Sequence, residues 1–216
     1  GDSVRVMDFG MAVQSHLPCG TEQRYFSAVG KDFYRAPECY VPQTEFVSVV
    51  APPDAAPGGV AFVKDPGHPP FEPPSLCEVR LPDDAQPGQR CRAQVWGYAA
   101  QPADALAVGV CLFIMLHGYP PWSKAQLSDQ AYRFIDKSGL PALLQQWEKP
   151  VMPPDLEEVV LGLICADPAQ RLSAQACLDR RWFADESLAE VPRHSTQAAV
   201  ADPARSTSRS SFAGMS

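Results

Sequence analysis

Two short groups of residues near the start of the chain carry most of its chemistry. Asp8-Phe9-Gly10 places a carboxylate beside a glycine that frees the backbone to turn. Carboxylate oxygens are the ligands a hard dication prefers. Taken alone the tripeptide is a weak signal, since chance yields it in roughly a few per cent of chains this long at ~5% usage of each residue. A lone Asp8 reads equally well as a solvated turn carboxylate. The second group, Val29-Gly30-Lys31-Asp32-Phe33-Tyr34-Arg35-Ala36-Pro37-Glu38, ends on a second carboxylate. Among the hydroxyls between the two groups are those of Thr21, Tyr25 and Ser27.

The elements that must position these residues follow from periodicity and breakers. Val4 to Met7 alternates with a period of two, which predicts a short strand ending at Asp8. Met11 to Tyr34 has no helical period and is expected to be a loop. From Val41 to about Ala103 prolines cluster, as in Ala51-Pro52-Pro53-Asp54-Ala55-Ala56-Pro57-Gly58-Gly59 and His68-Pro69-Pro70-Phe71-Glu72-Pro73-Pro74. Proline lacks an N–H and interrupts helices and strands, so a structureless insertion is expected there. Within it, Gly59 to Lys64 and Leu76 to Leu81 are candidate edge strands. No internal repeat is evident.

The pattern then turns helical. Asp104 to Leu116 is apolar on all sides, which predicts a helix buried at the centre of a domain, stopped by Gly118-Tyr119-Pro120-Pro121-Trp122. Further helices are predicted over Asp129 to Asp136 and Leu140 to Trp147. After Pro153-Pro154, Leu156, Val159, Val160, Leu163 and Ile164 form one apolar stripe, with Asp155 and Glu158 spaced as a capping box. Ser173 is a good N-cap for a last helix burying Ala174, Cys177, Leu178 and Trp182. From Pro192 onward the composition is that of a flexible tail.

Set in order, the motifs resemble those of eukaryotic protein kinases. Val4 to Gly10 is similar to the strand and D-F-G turn, and Val29 to Glu38 to the end of the activation segment, G-T-x-x-Y-x-A-P-E. Ala103-Asp104-Ala105-Leu106-Ala107-Val108-Gly109-Val110 resembles the D-x-W-S-x-G-V opening of the central helix. Leu112 to Trp122 is very like the M-L-x-G-Y-P-P-F of calcium/calmodulin-type kinases. Asp167-Pro168-Ala169-Gln170-Arg171-Leu172-Ser173-Ala174 with Trp182-Phe183 resembles the closing D-P-x-x-R-x-[ST]-A and W-F elements. The resemblance implies a mainly α fold, the C-terminal lobe of a Ser/Thr-type protein kinase without its N-lobe, carrying a long Pro-rich insertion. The expected division is 1–40 for the strand, D-F-G and activation segment, 41–103 for the insertion, 104–188 for the helical lobe and 189–216 for a disordered tail.

The resemblance also implies roles. Asp8 would hold Mg²⁺ that bridges the phosphates of ATP, with Phe9 packed into the core to set its position. Gly30, Lys31, Tyr34, Ala36, Pro37 and Glu38 would form the loop that docks a protein substrate. Glu38 and Arg171 would make a buried ion pair, Asp104 would be structural, and Thr21, Tyr25 and Ser27 would be phosphosites or ordinary loop hydroxyls. His68 and His117 read as surface or capping residues. The catalytic base is expected upstream: no H-R-D-x-x-x-x-N, no G-x-G-x-x-G and no V-A-I-K lysine occurs here. Lys31 departs from the pattern, standing where Ser/Thr kinases carry a threonine, and Leu106 and Ala107 replace its tryptophan and serine.

Composition narrows the classes. A net charge of −7 and a pI near 5.0 argue against chain-wide affinity for nucleic acid or anionic lipid. The seven cysteines have no C-x-x-C pair, as expected of reduced thiols in a cytoplasmic protein. No signal peptide is visible, and the Ala105 to Leu116 run is well short of the ~20 residues that span a bilayer. The function implied is phosphoryl transfer from ATP to protein Ser/Thr by a full-length product, this chain alone being inactive. The alternative is a pseudokinase or interaction scaffold, with docking partners for the Pro-rich stretches.

Overall fold

A computed structural model describes residues 5–65 and 74–184. The tail and His68 lie outside them. The described residues form helices and two antiparallel sheets, one of two strands and one of four. The smaller sheet pairs β1 (Arg24–Tyr25) with β6 (Tyr98–Ala99), so a segment expected to be all loop is stitched to the residues just before the first helix. Arg5 to Met7 forms no strand and Val6 and Met7 are exposed, because among the described residues no neighbouring strand offers a ladder to pair with.

The described parts of the Pro-rich stretch, 41–65 and 74–103, are folded, which corrects the expectation of a structureless insertion there. Its strands are β2 (Phe46–Val50), β3 (Val60–Asp65), β4 (Ser75–Arg80) and β5 (Arg90–Val95), in the order β2-β5-β4-β3. Two of these, β3 and β4, match the expected strands, but only β3 is at an edge: β4 lies inside the sheet between β5 and β3. Val47, Val49, Val63, Cys77, Val79, Ala93 and Val95 alternate inward to form a buried core continuous with that of the helices. Pro52, Pro53, Pro57, Pro82 and Pro87 occupy the connections, where a missing N–H breaks no ladder bond.

An internal repeat is also present. Pro52-Pro53-Asp54-Ala55-Ala56-Pro57-Gly58 recurs as Pro82-Asp83-Asp84-Ala85-Gln86-Pro87-Gly88, and the strands recur at the same 30-residue offset (Phe46 to Leu76, Val60 to Arg90). The register obeys the repeat. Val47 pairs with Ala93 as Cys77 pairs with Val63, and Val49 with Cys91 as Val79 with Ala61. Each repeat therefore pairs its first strand with the second strand of the other, an intertwined two-fold arrangement. The turns match as well: Ala55 N–H bonds Pro52 O and Ala85 N–H bonds Pro82 O, and Gly58 and Gly88 both take positive φ. Only glycine enters that region without a Cβ penalty, which explains its recurrence in both loops.

The helices follow as α1 (Ala100–His117), α2 (Gln130–Ser138), α3 (Leu140–Gln146), α4 (Pro154–Leu163), α5 (Ala174–Leu178) and α6 (Arg181–Ala184). By length and composition α1 is apolar enough to cross a bilayer. Here Leu106, Gly109, Val110 and Phe113 are buried, and α1 packs on α4. The opposite side is open, with Met115 at 73% exposure and Val108 and Leu116 also exposed, so the helix is not buried all round. Uniform hydrophobicity says nothing about which face is covered. The stripe of α4 is buried as its spacing predicts. Its capping box does not form: Pro153 is the N-cap without a side-chain bond, and Glu158 instead pairs with Arg180 at 2.7 Å. Ser173 caps α5 by accepting from Ala176 N–H at 3.1 Å. The last helix is broken in two, leaving Leu178 exposed.

The α1–α4 contact is close enough to depend on Gly109. A Cβ there would stand 2.7 Å from Leu163 Cβ and 3.0 Å from Ile164 Cγ1. Gly109→Ala is expected to destabilise by ~1–3 kcal/mol despite alanine's higher helix propensity, since both neighbours are packed. Urea unfolding checks this; an unchanged or raised midpoint contradicts it.

Candidate functional site

The site is organised around a buried ion pair. Pro37–Cys39 forms a 3-10 turn started by the fixed φ of Pro37, and it points Glu38 into the core, where the residue is 1% exposed. Arg171 reaches it from the loop before α5. Its Nη1 donates to Glu38 Oε1 at 2.6 Å and its Nη2 to Glu38 Oε2 at 3.0 Å. The remaining donors go to backbone oxygens: Nε to Cys165 at 2.8 Å, Nη1 to Pro102 at 2.6 Å and Nη2 to Ala166 at 3.0 Å. All five guanidinium N–H groups thus have acceptors, the condition under which two desolvated charges are tolerated.

The loop before this turn is fixed from its own residues and from the helices. Arg35 Nη1 bonds Asp32 Oδ1 at 2.8 Å, while its Nε bonds Val29 O at 3.0 Å and its Nη2 bonds Gly30 O. The Arg35 guanidinium lies over the Tyr40 ring, 5.1 Å from its centre. Trp122 Nε1 donates to Phe33 O at 3.1 Å, tying the loop to the turn after α1. Ala36 and Pro37 are buried and Tyr34 half-buried, its ring 4.4 Å from that of Phe33. Gly30 takes φ +83° in open space. Lys31 is exposed, and its side chain has no partner among the described residues; its carbonyl accepts from Tyr34 and Arg35 N–H.

A second ion pair joins the four-stranded sheet to the segment after Gly10. Arg24 on β1 meets Glu78 on β4 at 2.6 Å and Glu22 at 2.7 Å. Leu76 and Glu78 lie on the outer side of β4, buried where the strand packs on the Pro37–Cys39 turn. Burial pushes the Glu78 carboxyl above its ordinary range, with Arg24 pulling in the opposite direction, and Glu78 Oε1 is buried without a partner. Nothing local flagged this contact, because its partners are far apart in sequence and one lies in the Pro-rich stretch.

Other candidate residues stand apart. Asp8 sits at positive φ beside the 3-10 turn Phe9–Met11, exposed and without a hydrogen-bond partner among the described residues. Phe9 is 69% exposed, which corrects its expected packing into the core: no described side chain covers it. Asp104 lies on an exposed part of α1, and partial burial raises its carboxyl's pKa. Thr21 and Ser27 are exposed, and Tyr25 is half-buried with its hydroxyl donating to Gln14 O. Ser27 O accepts from the Tyr98 hydroxyl at 2.8 Å, a phenol pushed up to about 12 by burial. His117, at the last turn of α1, stacks on Phe113. All seven cysteines are free, and burial pushes Cys39 and Cys77 up to about 12, so these two stay thiols at neutral pH.

Two measurements follow from this geometry. Arg171→Lys keeps the charge but cannot fill five directed bonds, so it is expected to cost ~3–5 kcal/mol in denaturant unfolding. A loss under ~1 kcal/mol would mean that charge alone matters. For Glu78 the folded pKa is raised, so its contribution to stability is full below the unfolded value and lost as pH rises through the folded one. Glu78→Gln should therefore gain thermal stability relative to the parent on going from about pH 4 to about pH 7. A relative loss over that range contradicts the assignment.

Comparison with known proteins gives a partial likeness. No family model matches the chain. Curated relatives match over part of it: Calcium-dependent protein kinase 24 of Oryza sativa subsp. japonica is 30% identical over 40% of this chain. Serine/threonine-protein kinase 33 of Mus musculus is 30% identical over 43%, and the calcium/calmodulin-dependent serine/threonine-protein kinase of Malus domestica 32% identical over 44%. The matched stretch spans 16%, 18% and 22% of those three proteins' lengths. Part of the chain is thus similar to Ser/Thr protein kinases at about 30% identity.

Proposed function

We propose that this chain supplies the C-terminal, substrate-side lobe of a Ser/Thr protein kinase, interrupted between 41 and 103 by the duplicated β-module. The Glu38–Arg171 pair carries the reading, because it joins the A-P-E and D-P-x-x-R motifs in the manner the resemblance implies. The reaction would be ATP-dependent phosphoryl transfer to a protein hydroxyl in the cytoplasm by the full-length product. The loop from Gly30 to Glu38 would orient the segment of substrate beside the acceptor hydroxyl, held rigid by Arg35 and Trp122. Precise placement of two reactants is itself a large part of such catalysis.

Asp8 is the residue that would hold Mg²⁺. Mg²⁺ commonly takes one or two protein carboxylates and completes its shell with phosphates and water, so a single exposed, unpartnered carboxylate fits the protein's share. The ion supplies neutralisation of charge on the transferring phosphate when bound. Among the described residues no group of three metal-ligating side chains occurs, and no H-R-D-x-x-x-x-N, G-x-G-x-x-G or V-A-I-K motif is found in this sequence.

A second reading, a lobe kept for protein binding, is favoured by Lys31. It puts a free cation where the family's threonine would contact the catalytic aspartate. Expression of the full coding sequence, with phosphate transfer from Mg·ATP to a generic peptide as the readout, separates the two. The enzyme reading expects transfer, reduced about a hundredfold or more by Asp8→Asn. No transfer from a product that carries the upstream motifs would favour the binding module. The 216-residue chain alone is expected to show no calorimetric ATP binding near the micromolar range (~8 kcal/mol); tight binding would contradict the division of the nucleotide site.

A further inference from the structure

We propose that the groove between α2, α3 and the turn Pro120 to Ser123 is a docking site for an acidic amphipathic helix of a partner protein. The proposal is independent of whether the lobe transfers phosphate. The groove encloses about 750 Å³, inside the range of roughly 300–1,000 Å³ found for ligand clefts. Its lining is apolar at the centre: Pro121, Trp122 and Leu143 are buried, and Phe134 and Trp147 are half-buried. Around them stand exposed polar side chains, Gln130, Arg133, Lys137 and Gln146. An apolar centre inside a polar rim is the anatomy of a protein-binding surface.

The walls are held by the chain's own bonds. Asp129 caps α2 through Oδ1, which accepts from Tyr132 N–H at 2.9 Å. Its Oδ2 accepts from Ser123 N–H at 3.0 Å and from Lys124 N–H at 3.2 Å, so the turn and the helix move as one piece. Trp122 meets the Tyr132 ring edge-on, with centres 5.1 Å apart, and donates to Phe33 O. At the far end the Trp147 ring packs edge-on against Tyr119, 5.7 Å away. A site fixed in this way loses little conformational freedom when it is filled.

Charge and spacing select the occupant. Among the described residues Asp129 is the one carboxylate in the lining, and both of its oxygens are spent on backbone amides. Arg133 and Lys137 are four residues apart on α2, which puts them on one face of the helix with Cβ atoms about 5–6 Å apart. Neither has a carboxylate partner among the described residues, although the chain carries a net charge of −7. Asp136, next to Lys137 in sequence, is taken by Lys64 at 3.0 Å. Two unpaired cations beside an apolar groove fit a helix whose carboxylates recur at the same i, i+4 spacing, with leucine or phenylalanine between them to fill the groove. The Trp122 bond to Phe33 and the Lys124–Asp32 pair at 3.3 Å place that helix beside the loop from Gly30 to Glu38.

The test uses the full 216-residue chain and a fluorescein-labelled helical peptide of about fifteen residues, with leucine at i, i+3, i+4 and i+7 and glutamate pairs at i, i+4. Saturable anisotropy is expected, with affinity about tenfold or more weaker for the peptide carrying lysine in place of glutamate and for Arg133→Glu. That variant keeps its helix, because the new carboxylate faces Lys137 one turn on. In the parent chain the indole N–H resonance of Trp147 should shift on adding peptide while that of Trp182, on α6, stays in place. Absence of binding, equal binding of the lysine peptide, or shifts confined to Trp96 or Trp182 overturns the proposal. A Trp147 shift that follows protein concentration without peptide overturns it in favour of a second copy of this chain. Tighter binding to phosphatidylserine vesicles than to the peptide overturns it in favour of a lipid surface.

Discussion

The Glu38–Arg171 pair is the constraint from which the rest of the described structure hangs. Two charges out of contact with water are tolerated only where every donor and acceptor finds a partner. Here that requirement fixes three separate pieces of chain at once: the Pro37–Cys39 turn, the start of α1 at Pro102, and the loop from Cys165 to Arg171. The loop bearing Gly30 and Lys31 gains its shape downstream of that anchor, through Arg35 and through the Trp122 bond to Phe33. Movement at any of the three pieces would leave a buried charge or a buried N–H without its partner, which makes the arrangement cooperative rather than merely close.

The β-module attaches to this anchor through β4, which packs on the Pro37–Cys39 turn. Its repeat would make both outer faces alike, but two positions break the symmetry. Glu78, where the other repeat has Ser48, reaches Arg24, and Trp96, where the other has Pro66, closes the neighbouring seam. A duplicated unit has thus diverged in its ties to the rest of the chain: Glu78 joins β4 to Arg24 of β1, and Lys64 joins β3 to Asp136 of α2 at 3.0 Å. The chain leaving β5 also reaches the segment after Gly10, through the separate β1–β6 pair and the Tyr98 bond to Ser27. Residues within a loop that the resemblance treats as regulatory are held by a module that the resemblance does not include.

Much of the helical half was legible because its signals are local. The spacing of Leu156, Val159, Val160 and Leu163 in α4 marks a single buried stripe, and Ser173 caps through its own side chain. The central helix misled because every face of it is apolar, so sequence could not tell Phe113 from Met115. The β-module was missed for a different reason. Its strands pair across the two repeats, and Pro52, Pro53, Pro57, Pro82 and Pro87 sit in the matched loops, where they break no ladder bond. Comparing the two Pro-x-Asp-Ala-x-Pro-Gly loops would have revealed it. Asp8 and Phe9 were legible as a motif, but their surroundings depend on contacts that no described residue supplies.

A double-mutant cycle on Glu38→Gln and Arg171→Met, read by denaturant unfolding, tests the central claim most directly. If the buried pair is the joint between the two halves of the site, the residues should be coupled by about 2–3 kcal/mol. Additivity within ~0.5 kcal/mol would show that the two act independently and would contradict the account.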